Sequence, residues 1–137
     1  MTAVVIIERK IMPNDKKLSD LQINILDILW ENGSLSIQEI KKILEPKKQL
    51  APTSIATILT RLEKQGFVKY RKQGRKYIYS ANIAKNEVQN NSINSLLKNL
   101  FKGNKASLVS HLLAEELTVD ELEHIQNIIN ERSRSDA

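Results

Sequence analysis

The sequence predicts a mainly α protein of the α+β class, and three observations predict it. The first half of the chain carries three stretches of helical apolar period, each opened by a start signal. Two short runs rich in Tyr, Val and Ile follow, with Arg and Lys crowded about the turn between them. Beyond Asn82 only helical periods return. Three helices and then a basic hairpin is the order of a winged helix-turn-helix, here at 18–82. The helices at 83–131 form a small second module, preceded by an arm at 1–17 and followed by a polar tail at 132–137. The chain's 137 residues suit one domain with an appended module.

Residues 1–17 hold no period, and Pro13, Asn14 and Asp15 break any element there. Its cations, Arg9, Lys10, Lys16 and Lys17, are candidates for phosphate contact or for plain solvation. The first helix starts at Ser19, where Gln22 completes a capping box. Leu21, Ile25, Ile28 and Leu29 form its stripe and Gly33 ends it, with Trp30 a packing residue at its side. Ser36 and Glu39 box the second helix, whose face is Ile37, Ile40 and Leu44, until Pro46 stops it. The third, 52–65, opens with Pro52 at its first position and closes at Gly66. Ile55, Ile58, Leu59 and Leu62 face inward. Strands are expected at 67–71 and 76–80 around a Gln73-Gly74 turn, with Val68, Tyr70, Tyr77, Ile78 and Tyr79 packing the hairpin onto the helices. In the second module Ile93, Leu96, Leu97 and Leu100 mark one helix, and Leu108, Val109, Leu112 and Leu113 another. A Thr118–Glu121 capping box opens a third that carries Leu122, Ile125, Ile128 and Ile129. That much Leu and Ile on short helices must be covered either by the first module or by another chain.

Charge divides unevenly. Residues 1–82 hold 15 basic against 8 acidic groups, 83–137 hold 6 against 8, and 41–76 alone hold 11 against 2. A field so localised points to a polyanion, nucleic acid before an acidic membrane surface. There is no cysteine, no apolar run of membrane-spanning length and no signal-peptide pattern, so the expected location is cytoplasmic. Gly-rich phosphate loops, HExxH and a Ser-His-Asp pattern are absent, so an enzyme is not expected, nor a cofactor or small-molecule substrate. His111 and His124 stand on separate helices among acids and read as surface polar groups rather than metal ligands.

With its apolar stripe inside, the third helix turns Thr53, Ser54, Ala56, Thr57, Thr60, Arg61 and Lys64 outward. Small residues let a helix backbone approach base edges in a major groove, and hydroxyls and methyls can read them. Arg61 and Lys64 stand farther along, with Arg71, Lys72, Arg75 and Lys76 on the hairpin, placed for phosphates, which position a protein without reading sequence. Two other readings compete: a winged helix used as a protein-interaction module, and a non-specific nucleic-acid binder. The basic wing speaks against the first and the small neutral face against the second. A cationic hairpin can also be a solvated edge guarded against aggregation.

The stretch LSDLQINILDILWENGSLSIQEIKKIL followed by APTSIATILTRLEKQGFVKYRKQGRKYIYSA resembles the penicillinase-repressor (BlaI/MecI/CopY-type) family. Leu29-Trp30, Gly33, Thr57, Leu59, Arg61-Leu62-Glu63-Lys64, Gly66 and Tyr77-Ile78-Tyr79 carry the likeness, and KASLVSHLLAEELTVDELEHIQNII extends it. The resemblance implies a homodimeric repressor on an inverted-repeat operator of double-stranded DNA. Its dimer interface would take in Leu96, Leu97, Leu100, Leu108, Leu112, Leu122, Ile125 and Ile129. It also implies a sensor protease as a partner in the β-lactam branch. The Asn-Phe bond cut there is replaced here by His111-Leu112, a departure from that specificity. The copper branch binds metal through cysteines, which this chain lacks.

Overall fold

The computed structural model describes residues 18–136. The arm at 1–17, with Arg9, Lys10, Lys16 and Lys17, lies outside them. Nine elements follow in order: α1 (Asp20–Asn32), β1 (Leu35–Ser36), α2 (Ile37–Leu44), α3 (Pro52–Lys64), β2 (Val68–Gln73), β3 (Lys76–Ala81), α4 (Lys85–Asn99), α5 (Lys105–Ala114) and α6 (Val119–Asp136). The chain forms two compact units, one ending at Ser95 and one beginning at Leu96.

In the first unit the helix starts are set by local chemistry. The Ser19 hydroxyl accepts from the Gln22 N–H while the Ser19 N–H donates to Gln22 Oε1, and Ser36 and Glu39 repeat the exchange for α2. α1 stops at Gly33, whose φ of 81° suits glycine and whose N–H donates to the Leu29 carbonyl. α3 has Pro52 at its first position. It ends in a Schellman arrangement: Gly66 (φ 91°) donates to the Glu63 carbonyl and Phe67 to that of Leu62.

Ile25, Leu26, Leu29, Ile40, Ile55, Leu59, Leu62 and Phe67 are the largest fully buried side chains, each worth about 1.5–3 kcal/mol of burial. Ile58 and Trp30 pack at the margin, and the Trp30 indole N–H donates to the Ile83 carbonyl at 2.8 Å. Lys85 pairs with Asp27 at 3.2 Å, and Ile83 and Val88 pack on the same core. The start of α4 is thereby fastened to the first unit.

The sheet has three strands in the order β1-β3-β2, all antiparallel. The sequence had suggested only the hairpin. β1 is two residues long and is made by its pairing, Leu35 with Tyr79 and Ser36 with Ile78. The hairpin also turns one residue later than expected. Gln73 pairs with Lys76, leaving Gly74 and Arg75 as the loop, with Gly74 at φ 63°. A positive φ at the first loop residue matches the right-handed twist of the flanking strands.

In the second unit α5 is capped by Asn104, and α6 by a box between Thr118 and Glu121. α6 runs on through residues that had been read as a polar tail from Arg132. Arg134 pairs with Glu131 at i,i+3, and nothing in the run breaks a helix. Among the described residues, no helix is long and apolar enough to cross a membrane.

Candidate nucleic-acid interface

α3 buries Ile55, Leu59 and Leu62, and this fixes what its other side presents. Thr53, Ser54, Thr57, Thr60, Arg61 and Lys64 are exposed and Ala56 is half-buried. The small side chains hold the first two turns and the cations the last, where they also complement the negative end of the helix dipole. Two of the hydroxyls are already engaged. Thr57 Oγ1 donates to the Thr53 carbonyl at 2.9 Å, and Thr60 Oγ1 to the Ala56 carbonyl at 2.8 Å. A hydroxyl whose proton is held by its own helix has lone pairs left for an outside donor. Such a face suits the amino groups of adenine or cytosine and the thymine methyl.

The wing's pleat sorts its cations onto two faces. Arg71 stands opposite Ile78 and Lys69 opposite Ser80, on one face with the Gln73–Lys76 pair. Lys72 stands opposite Tyr77 on the other, where its Nζ lies 6.0 Å from the ring centroid. Arg75 occupies the turn. Arg71 Nη1 donates to Gln73 Oε1 at 2.7 Å, which holds the guanidinium along the strand. Lys69, Arg71, Lys72, Arg75 and Lys76 are all exposed.

Only part of the expected aromatic packing forms. Tyr79 is 7% exposed, beside buried Val68. Tyr70 and Tyr77 are 51% and 45% exposed, and Ile78 lies on the opposite face. The two exposed rings cover each other edge to face at 5.3 Å, with Tyr79 5.8 Å from Tyr70. The outer half of the wing thus reaches past the core and is stiffened by its own rings. Burial, then the neighbouring Tyr70 and Tyr77, pushes the Tyr79 phenol up, so it stays protonated through the neutral range. The Ser36 backbone and then its hydroxyl hold the Glu39 carboxyl below its ordinary value, with Lys76 adding to the same effect. Lys76 therefore stands within electrostatic reach of an anion of its own fold.

In the second unit Leu96, Leu100, Leu112, Leu122 and Ile129 are exposed, Leu100 to 71%, while Leu97, Leu108 and Ile125 are half-buried. The expected interface residues thus leave much apolar surface uncovered in a single chain. The His111–Leu112 bond lies inside α5. The His111 ring donates through Nδ1 to the Ser107 carbonyl at 2.9 Å and meets the Phe101 ring edge-on at 5.2 Å. Cutting that bond requires α5 to open locally. Among the described residues, no group of three or more His, Asp or Glu is placed to hold a metal ion.

A three-helix core with a cationic wing and a neutral, hydroxyl-bearing third helix defines a winged helix-turn-helix of the nucleic-acid-binding kind. Residues 18–131 match the penicillinase repressor family, and the chain belongs to that family. It is 29% identical over 119 residues to the penicillinase repressor of Staphylococcus aureus, covering 86% of this chain and 94% of that protein. It is 26% identical over 117 residues to the methicillin resistance regulatory protein MecI of Staphylococcus aureus strain N315, covering 85% and 95%. Among solved structures it is similar to the monomeric form of Bacillus licheniformis BlaI in complex with the blaP half-operator. That match has 29% identity and a TM-score of 0.46, over 53% of this chain and 88% of that one.

Proposed function

We propose that this chain is a homodimeric repressor in which α3 reads an operator and the wing anchors it. The protein is a DNA-binding transcriptional repressor, not an enzyme. Thr53, Ser54, Ala56, Thr57 and Thr60 meet base edges in the major groove. Arg61, Lys64, Arg71, Lys72, Arg75 and Lys76 meet phosphates. The observation that carries this reading is the neutral, close-approach face of α3 set beside a cationic, exposed wing. A solvated hairpin alone gives no reason for that neutral neighbour.

Two chains pair through the apolar faces of the second unit, at Leu96, Leu97, Leu100, Leu108, Leu112, Leu122, Ile125 and Ile129. Twofold pairing sets two copies of α3 on the halves of an inverted repeat. The exposed apolar side chains there support this, since water is a poor final environment for them. The protein acts in the cytoplasm, where its operator is. The family's β-lactam branch makes a sensor protease a candidate partner; His111–Leu112 stands where its Asn-Phe bond is cut, so cleavage here would need both local opening of α5 and a protease of different specificity.

The deciding experiment is selection of bound fragments from genomic DNA by the purified protein at physiological salt. Enrichment of one short inverted repeat is expected. Tight, salt-sensitive binding with no enriched sequence would make α3 part of a charged clamp and not a reader. If each subunit neutralises roughly four phosphates, the dimer's log–log salt slope is about −7.

A further inference from the structure

Two of the five cations of 41–76 outside this assignment lie just ahead of α3. Lys47 and Lys48 stand in the linker between α2 and α3, and the linker is held at both ends. Leu44 is buried at one end and Leu50 packs against the same core at the other. The N–H groups of Lys47 and Lys48 both donate to the Leu44 carbonyl, at 3.0 and 2.9 Å, so the loop folds tightly over the end of α2. Both side chains are exposed. Glu45, the acid of the linker, is engaged elsewhere, 3.2 Å from Lys41 Nζ. Among the described residues neither Lys47 nor Lys48 takes part in an ion pair. The first turn of α3, a few residues on, has no acidic residue to offset them. Like charge ahead of a helix N-terminus is locally unfavourable. A pair of exposed lysines carried on a held backbone, and kept there against local electrostatics, points to an anionic partner.

The linker precedes the first residue of α3 and the wing follows its last. A helix of 13 residues rises about 20 Å, and the major groove is about 12 Å wide. Cations just ahead of the first turn of such a helix are therefore placed for phosphates at a border of the groove other than the one nearest its last turn, where Arg61 and Lys64 stand. Cations at one end reach one border only.

We propose that Lys47 and Lys48 form a second phosphate-binding pair at the end of α3 away from the wing, so that each subunit grips both strands bordering the groove. The proposal rests on α3 being the reader. The test compares full-length wild type, a Lys47→Gln/Lys48→Gln variant and a Lys102→Gln/Lys105→Gln control, which loses the same charge from the second unit. Each is titrated onto a random-sequence duplex and onto a selection-enriched duplex between about 50 and 200 mM salt. The linker variant is expected to show a log–log slope shallower by about 1.8 per bound subunit on both duplexes. Its affinity then falls about twelve-fold less per subunit over that range, while the control keeps the wild-type slope. An unchanged slope in the linker variant, with the preference for the enriched duplex intact, overturns the proposal and leaves α3 as the reader. An equal slope change in the control also overturns it, since the effect is then one of net charge. Wild type with no preference between the duplexes removes the reading of α3 and the proposal together.

Discussion

The back-bonded hydroxyl of Thr57 allows a pair of substitutions to separate two ways of reading a base. Thr57 Oγ1 gives its proton to the Thr53 carbonyl at 2.9 Å, so to an outside donor it offers an acceptor beside a methyl. Thr57→Val keeps a branched apolar shape and removes the acceptor; Thr57→Ala removes both. The position is exposed, so neither change should move folding stability by more than about 0.5 kcal/mol. One hydrogen bond accepted from a base amino group is worth about 0.5–1.5 kcal/mol net, hence about 1–3 kcal/mol for two subunits. That is on the order of 5- to 150-fold in affinity for the cognate duplex. A methyl packed on thymine adds about 0.8 kcal/mol per subunit. The expected order of discrimination is therefore wild type, then Val, then Ala. The assay is competition between the selected operator and single-base variants, at fixed salt. Val matching wild type while Ala falls would assign the reading to the methyl alone. If neither variant changes the ranking of any base substitution, α3 is not reading through this face, and the reasoning from its small neutral side chains fails.

Arg75→Ala, at the exposed wing turn, should weaken enriched and random duplexes nearly equally and make the slope shallower by about 0.9 per subunit; a shifted sequence preference would give the wing a reading role. Gly33→Ala should lower stability by about 1–3 kcal/mol through its φ of 81° and ψ of −135° alone, because an added Cβ meets nothing within 4 Å; a melt at the wild-type temperature counts against it. The Glu39 carboxyl is held below its ordinary value in the folded chain, so its contribution is present above the unfolded pKa of 4.5 and is lost as pH falls through the folded one. Glu39→Gln should therefore show a shallower acid-side loss of stability in denaturation curves taken across pH, and an identical acid limb would remove that role. Leu112→Asp with Ile129→Asp should convert the dimer to a folded monomer in sedimentation at micromolar concentration, both side chains being exposed in the single chain; an unchanged dimer moves the interface elsewhere.

What the sequence disclosed tracks the range of the forces at work. The Ser19–Gln22, Ser36–Glu39 and Thr118–Glu121 boxes each close within three residues, and all three formed at the positions their spacing marked. The outward set on α3 followed from period alone, because Ile55, Leu59 and Leu62 leave the opposite side no choice. β1 could not be found that way. Two residues carry no period, and Leu35 and Ser36 become a strand only by meeting Tyr79 and Ile78 more than forty positions on. The engagement of Thr57 and Thr60 was equally hidden, since a threonine in a helix has a choice of rotamers that composition does not settle.

The wing shows most clearly why alternation and burial are separate questions. Val68, Tyr70 and Lys72 alternate as a strand should, and β3 answers with Tyr77, Tyr79 and Ala81 on the same face. Read as a pattern, that face belongs against a core. The helices cover only its root, however: Val68 and Tyr79 are buried, while Tyr70 and Tyr77, nearer the turn, are half in water. A ribbon that overhangs its core must keep its register without burial, and a one-residue slip would exchange the tyrosine and arginine faces. The edge-to-face contact of Tyr70 with Tyr77, worth about 0.5–1.5 kcal/mol, and the glycine at the turn resist that slip. The exposed rings therefore serve the cations beside them. Without them Arg71 and Lys72 would sit on a loose hairpin, and any contact these cations make would carry the entropy of ordering it.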